Sequence, residues 1–197
     1  AAIGQHLAQD PALAPLVAAR PGLRLPGAWD GFELAIRAVL GQQITVPAAV
    51  NLASKLVARY GQPMTHPQAG LTHLFPEPAL LAQTNLSDLG MPRSRAKTLS
   101  AVAAAVLADP DLLSAGHSLE AAVTRLRAVP GIGDWTAHYI AMRQLREPDA
   151  FPAADVGLMR ALTDADGNRP DAAALLQRAQ AWRPWRAYGA QHLWASL

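Results

Sequence analysis

The stretch Pro130-Gly131-Ile132-Gly133 lies between two segments that each repeat apolar residues at helical spacing, and no other feature limits the chain so tightly. In "SLEAAVTRLRAVPGIGDWTAHYIAMRQL", residues 118–145, Ser118 can cap one helix running to about Arg127. Asp134 can cap a second, running to about Leu145. The turn between them reverses the chain, so the expected unit is helix, hairpin, helix. Glycines at 131 and 133 allow positive φ and keep side chains out of the turn. Its backbone N–H groups and the start of the second helix can then converge on one anion.

The remaining chain reads as helix nearly throughout. "DGFELAIRAVLGQQ" places Phe32, Ile36, Val39 and Leu40 on one face. "TVPAAVNLASKLVARYG" follows with Thr45 as N-cap, Pro47 in the first turn and Gly61 as the stop. "QPMTHPQAGLTHLFPEPALL" is dense in proline, glycine and histidine, and it reads as a connection with at most a short helical turn, at a junction between lobes. "TNLSDLG" reads as a short helix ended by Gly90, and a long helix follows from Pro92 to about Asp109. Arg93, Arg95 and Lys97 crowd its first turns against the helix dipole, which reads as solvation unless an outside anion meets them.

Composition narrows the function classes. The 197 residues are 51% hydrophobic, enough for one domain or two small packed lobes. There is no cysteine, which excludes disulfides, thiolate metal sites and cysteine-held iron–sulfur clusters. No apolar run reaches the roughly 20 residues of a membrane span, and the opening lacks a signal-peptide pattern, so a cytoplasmic protein is expected. Lys+Arg 17 against Asp+Glu 15 gives a net charge of only +2. Any grip on a polyanion must therefore come from something other than a lysine sheath, and amide donors at the hairpin supply one. No metalloenzyme spacing, glycine-rich nucleotide loop or Ser/His/Asp motif is present.

Several residues stand out by chemistry. Asp155, in "PDAFPAADVGLMRAL", follows a Pro-Ala-Ala loop and precedes an apolar helical run, so its carboxylate could cap that helix. Trp135 and Tyr139 lie four apart and share a helix face, and Trp194 closes the last helix. Three such rings could sandwich one flat ligand. Trp182 and Trp185 read as packing, His138 and His192 as packing or surface, and Asp149 as a turn residue. Gln42 and Gln43 can satisfy an interhelical turn.

"VPGIGDWTAHYIAMRQLREPDAFPAADVGLMRAL", with "FELAIRAVLGQQIT" upstream and "WRPWRAYGAQHLW" near the end, resembles the helix-hairpin-helix DNA glycosylases, in particular the 3-methyladenine DNA glycosylase II branch. The opening "IGQHLAQDPALAPLV" is also similar to the start of that catalytic core. The resemblance implies an all-α fold over residues 1–197, without the N-terminal mixed α/β domain some relatives carry. Two lobes are expected, one about 30–115 and the other 1–29 plus 116–197. It implies a monomeric enzyme that flips alkylated bases (3-methyladenine, 7-methylguanine) out of double-stranded DNA, hydrolyses the N-glycosidic bond and leaves an abasic site. The implied roles are Asp155 as catalytic carboxylate; Trp135, Tyr139 and Trp194 as the base pocket; Gln43 as the wedge that fills the vacated stack; and Gly131, Gly133 and Thr136 at the DNA backbone. Backbone carbonyls of Arg127, Val129 and Ile132 resemble those that hold a monovalent cation, Na+ or K+, in the family; no other cofactor is expected. Electron-rich rings suit a cationic damaged base, by about 1–2 kcal/mol when desolvated. Bifunctional relatives carry a lysine where this chain has Trp135, so no strand cleavage is expected. Val156 and Gly157 replace bulkier neighbours of the pocket, which opens hypoxanthine or ethenoadenine as alternative substrates. A non-catalytic DNA-binding module is the remaining alternative.

Overall fold

Asp30 starts the first long helix. Its carboxylate accepts the Glu33 N–H at 2.6 Å, and Glu33 in turn pairs with Arg37 at 2.7 Å, one helical turn on. The helix that results, Gly31–Leu40, turns Phe32, Ala35, Ile36, Val39 and Leu40 inward. The same logic repeats along the computed structural model, which describes residues 2–197. Thr45 caps the next long helix by accepting from Ala48, and Ser118 caps the first helix of the hairpin by accepting from Ala121. Each cap satisfies an amide the helix cannot satisfy itself.

The elements are α1 (Ala2–Leu7), α2 (Ala14–Ala19), α3 (Gly31–Leu40), α4 (Val46–Tyr60), β1 (Pro63–Gln68), β2 (Leu71–His73), α5 (Pro78–Gln83), α6 (Arg93–Ala108), α7 (Leu119–Arg127), α8 (Asp134–Arg143), α9 (Val156–Ala161), α10 (Ala172–Ala179) and α11 (Arg186–Trp194). The fold is all-α apart from one small ribbon. Helix α6 packs on α5 and α3, α3 also packs on α4 and α8, α7 lies on α8, and α11 packs on α9 and α2. Ile36, Leu40, Leu56, Leu99, Leu126, Ile140, Phe151 and Trp182 are fully buried where these helices meet. Each such side chain contributes about 1.5–3 kcal/mol. Among the described residues no helix is long and apolar enough to cross a membrane.

Two ionic ties close the chain on itself. Asp10, after α1, accepts from Arg178 at 3.0 and 2.6 Å, from the Trp182 indole at 2.8 Å and from the Ala12 N–H at 2.8 Å. Burial alone would raise its pKa, but these donors outweigh that and hold it down to about 2. Asp149 accepts a bidentate pair from the buried Arg186 at 2.8 and 2.9 Å and a further bond from Arg183 at 2.5 Å. It is thus more than a turn residue. It anchors the loop between α8 and α9 to the start of α11.

Three local expectations are corrected. The connection after α4 contains an antiparallel ribbon, β1–β2, turning at Gly70, and the six-residue helix α5. Pro63 and Pro67 masked the strand, and both are tolerated because the ribbon is an exposed edge. "TNLSDLG" forms only a 3₁₀ turn, Ser87–Leu89, stopped by Gly90 in the left-handed region. The N-cap of α8 is Gly133, with Asp134 as the first helical residue, so the Asp134 carboxylate faces Arg127 at 3.7 Å and makes no cap.

Candidate active site

Asp155 is both a cap and more than a cap. Its Oδ1 accepts the Leu158 N–H at 2.9 Å, fixing the start of α9. The same oxygen accepts the Trp194 indole N–H at 2.9 Å, and Oδ2 accepts the Trp135 indole N–H at 2.8 Å. Donors from α8, α9 and α11 therefore converge on one half-buried carboxylate. Bonds to a charged acceptor are stronger than neutral ones, and they fix its plane. Gly157 makes room for this arrangement. A Cβ there would lie 3.0 Å from Asp155 Oδ1 and 3.4 Å from Trp194 Cδ1. A carboxylate so fixed, with the exposed Val156 beside it, can stabilise positive charge that develops in front of it.

The three aromatic rings do come together, in an arrangement that differs from a sandwich. Trp135 and Tyr139 stack on one another, centroids 5.2 Å apart and planes within 9°, so no flat ligand enters between them. Their spacing on α8 makes them one composite wall. Trp194 meets Tyr139 edge-on at 6.4 Å. The Arg143 guanidinium lies 5.6 Å over the Tyr139 ring. His138 turns away from this wall. Its Nδ1 accepts the Phe151 N–H at 3.2 Å, and burial lowers its pKa, which favours the neutral ring that this bond requires. Trp182 packs edge-on against Phe151, Trp185 packs likewise on Tyr188, and His192 is buried; all three lie in the packing role expected of them.

In the hairpin only Gly131 uses a glycine-specific conformation. Its φ is +88°, and a Cβ would fall 1.9 Å from Thr98 Oγ1 on α6. Gly133 is extended at φ −89°, and a Cβ there would meet nothing within 4 Å. The protein itself does not require glycine at 133. The N–H groups of α8's first turn point out of the helix beside it, as any helix N-terminus dictates. Thr136, expected at the DNA backbone, lies in that first turn with its side chain turned inward: the residue is 2% exposed and its hydroxyl accepts from Gln42 at 2.9 Å. It sits on the inner face of α8, where no outside phosphate reaches the hydroxyl. Of the three carbonyls compared with a cation site, that of Val129 accepts the Ile132 N–H at 3.1 Å. No backbone N–H among the described residues donates to those of Arg127 or Ile132 from outside a helix, which leaves these two carbonyls without a backbone donor.

Gln43 is exposed at the turn between α3 and α4 and holds φ +56°, the left-handed region that non-glycine residues occupy at a cost of about 1–2 kcal/mol. The turn is restrained on both sides. The Gln42 side-chain amide donates to the Gly131 carbonyl at 3.2 Å and to Thr136, and Arg95 donates to the Gln42 carbonyl. Arg95 therefore serves this turn, while Arg93 and Lys97 are exposed. The roles of Gln42, Arg95, Asp149 and Arg186 were not apparent from local pattern, because their partners lie 53, 89 and 94 residues away for the first two and 37 for the last pair.

Comparison with known proteins agrees with this geometry. Residues 36–187 match the family described as HhH-GPD superfamily base excision DNA repair protein, and residues 1–30 match the AlkA N-terminal domain. The chain is 44% identical over 197 residues to a "probable bifunctional transcriptional activator/DNA repair enzyme AlkA" of Mycobacterium tuberculosis, covering 100% of this chain and 39% of that protein. It is 37% identical over 186 residues to DNA-3-methyladenine glycosylase 2 of Escherichia coli, covering 93% of this chain and 64% of that one. The chain thus spans less than two thirds of either relative. Among solved structures, a 3-methyladenine DNA glycosylase from Archaeoglobus fulgidus superposes with a TM-score of 0.80 at 24% identity, covering 97% of this chain and 67% of that one, which shows a shared fold. With the hairpin, the carboxylate and the rings in place, and the family match running from α3 into α11, the chain belongs to the HhH-GPD superfamily of base excision DNA repair proteins.

Proposed function

We propose that this chain is a DNA glycosylase that releases alkylated bases such as 3-methyladenine and 7-methylguanine from duplex DNA and leaves an abasic site. The observation that carries the reading is Asp155, whose carboxylate is held by the indole N–H groups of the two tryptophans that also bound the aromatic wall. The name of the Escherichia relative, DNA-3-methyladenine glycosylase 2, supports the same activity, and that of the Mycobacterium relative supports a role in DNA repair.

A flipped, cationic base rests against the Trp135–Tyr139 wall. Asp155 faces the deoxyribose C1′. As the C1′–N bond breaks, its electron pair leaves with the base, which becomes neutral, and the positive charge passes to the sugar beside the carboxylate. Water then adds to C1′ and gives up a proton, completing the hydrolysis. The indole nitrogen of Trp135 has a delocalised lone pair and cannot form the Schiff base that strand cleavage needs, which supports a monofunctional enzyme.

The amides of α8's first turn, beside Gly131 and Gly133, hold a backbone phosphate. A monovalent cation on the carbonyls of Arg127, Val129 and Ile132 would add positive charge toward the same phosphate. Gln43 fills the vacated stack, and the open groove beside it, lined by Ile44, Asn51, Lys55, Pro92 and Arg95, takes the adjoining strand. On this reading two lobes, about 30–115 and 1–29 plus 116–197, flank the flipped nucleotide. The enzyme acts as a monomer on chromosomal DNA in the cytoplasm. The exposed Val156 and the absent side chain at Gly157 favour a second reading in which larger or neutral bases, hypoxanthine and ethenoadenine, are also released.

The test is chromatography of free bases released from methylated, hypoxanthine-containing and ethenoadenine-containing duplexes, by wild type and Asp155→Asn, without alkali. Release by wild type alone supports the proposal, and the lesion that is released chooses between the readings. Retained duplex binding with no release of any base refutes both.

A further inference from the structure

We infer that Gln42 is a positioning residue that latches the wedge-bearing turn to the hairpin, so that Gln43 and the phosphate-gripping amides move as one body. The inference rests on the glycosylase reading and concerns a residue to which that reading gives no role.

Gln42 stands one residue before the exposed Gln43 and points the other way. Its side-chain amide donates to the Gly131 carbonyl within the hairpin turn at 3.2 Å and to the Thr136 hydroxyl on α8 at 2.9 Å. Its main-chain carbonyl accepts from Arg95 on α6. Three elements thus fix a single residue, and the neighbour they fix is one of the few non-glycine residues with positive φ, at +56°. A left-handed glutamine on an exposed turn persists only where its surroundings over-determine it. The partners of Gln42 are themselves constrained. Thr136 is buried, and Gly131 lies against Thr98, which leaves the hairpin turn no room to follow a drifting wedge.

The functional consequence is geometric. A side chain that replaces a flipped base must enter the stack at a fixed offset from the phosphates the protein holds. Misplacement of a positioning contact by about 1 Å can cost around a hundredfold in rate. The latch sets that offset. Lesion-free duplex, gripped by backbone contacts alone, does not use it.

The experiment uses Gln42→Met, which keeps the length and loses the amide, and Gln42→Met with Thr136→Val, which leaves no buried hydroxyl unpartnered. Four quantities are read on the full chain: single-turnover base release, affinity for undamaged duplex, fluorescence of 2-aminopurine opposite the flipped site, and melting temperature. Base release and the fluorescence change are expected to fall by about tenfold or more, since two hydrogen bonds are lost, while affinity for undamaged duplex stays within about twofold. Adding Gln43→Ala to Gln42→Met is expected to cost no more than the worse single change, because one acts through the other. Additive losses, or an equal loss of affinity for undamaged duplex, overturn the inference. Hydrogen exchange in the free protein tests the latch without any substrate. The amides of Gln42 and Ile132, bonded to Val39 and Val129, are expected to exchange about tenfold faster in Gln42→Met. Unchanged exchange overturns the latch. A wild type that releases no base overturns the glycosylase reading and leaves the exchange result to decide the latch alone.

Discussion

The two hairpin glycines give opposite expectations when each is changed to alanine. At Gly131 the new Cβ would sit 1.9 Å from Thr98 Oγ1 and 2.8 Å from both Thr98 Cβ and Cγ2, with the backbone at φ +88°. The left-handed conformation costs an L-residue about 1–2 kcal/mol. Displacing α6 by the distance needed adds an overpacking cost of about 1–3 kcal/mol. Gly131→Ala is therefore expected to destabilise the chain by about 3 kcal/mol, lowering Tm by roughly 6–12 °C for a domain of this size. Thr98→Ala removes the Oγ1 and Cγ2 contacts but not the close approach to Cβ or the strain in φ. In the double variant it should recover part of the loss, a coupling of about 1 kcal/mol. At Gly133 the Cβ meets nothing within 4 Å and φ is −89°, so Gly133→Ala should leave Tm within about 1 °C of wild type. Its cost should appear only when a phosphate backbone approaches the turn, as an affinity loss of at least about tenfold that is the same for damaged and undamaged duplex. Thermal melting and fluorescence anisotropy on the three variants check this. A matching fall in Tm at both positions, or wild-type duplex affinity for Gly133→Ala, would refute the assignment of Gly131 to the fold and Gly133 to the ligand.

Other outcomes follow from the buried polar groups. Asp10 has its pKa lowered from 3.8 to about 2, so its contribution is present above pH 3.8 and lost as pH falls toward 2. Asp10→Asn should thus lose about 1–2 kcal/mol at pH 7, allowing for screening, and match wild type near pH 2 in urea titrations. Burial lowers the pKa values of His138 and His192, so the unfolded chain binds protons first as pH drops below 6.5, and stability should decline there. His138→Gln should flatten that decline in melting curves taken from pH 7 to 5. Arg186→Met leaves Asp149 without its bidentate partner and should cost about 3 kcal/mol. Because that pair anchors the loop leading to Asp155, base release should fall more than duplex affinity, as parallel kinetic and binding measurements would show.

Helix periodicity and capping chemistry made the long helices legible from sequence: the Thr45 and Ser118 caps and the start of α6 after Pro92 all lie where expected. The ribbon at 63–73 was hidden because its prolines and Gly70 carry turn signals, and because a short exposed ribbon shows no alternation of burial. At the site, residue types pointed to Asp155 and the rings, but contacts did not. Nothing in the spacing of Trp135 and Tyr139 distinguishes two rings gripping a ligand from two rings stacked on each other. The inward turn of Thr136 was equally hidden, since it depends on Gln42, 94 residues away.

The convergence of three helices on Asp155 ties chemistry to architecture in a way that bears on descent. Asparagine there would offer one acceptor oxygen where the carboxylate offers two, and would set an amide N–H against an indole N–H. A lineage that abandoned base removal but kept the hairpin would therefore have to replace Trp135 and Trp194 along with the acid. Descendants that only bind DNA should be recognisable by the loss of all three residues together.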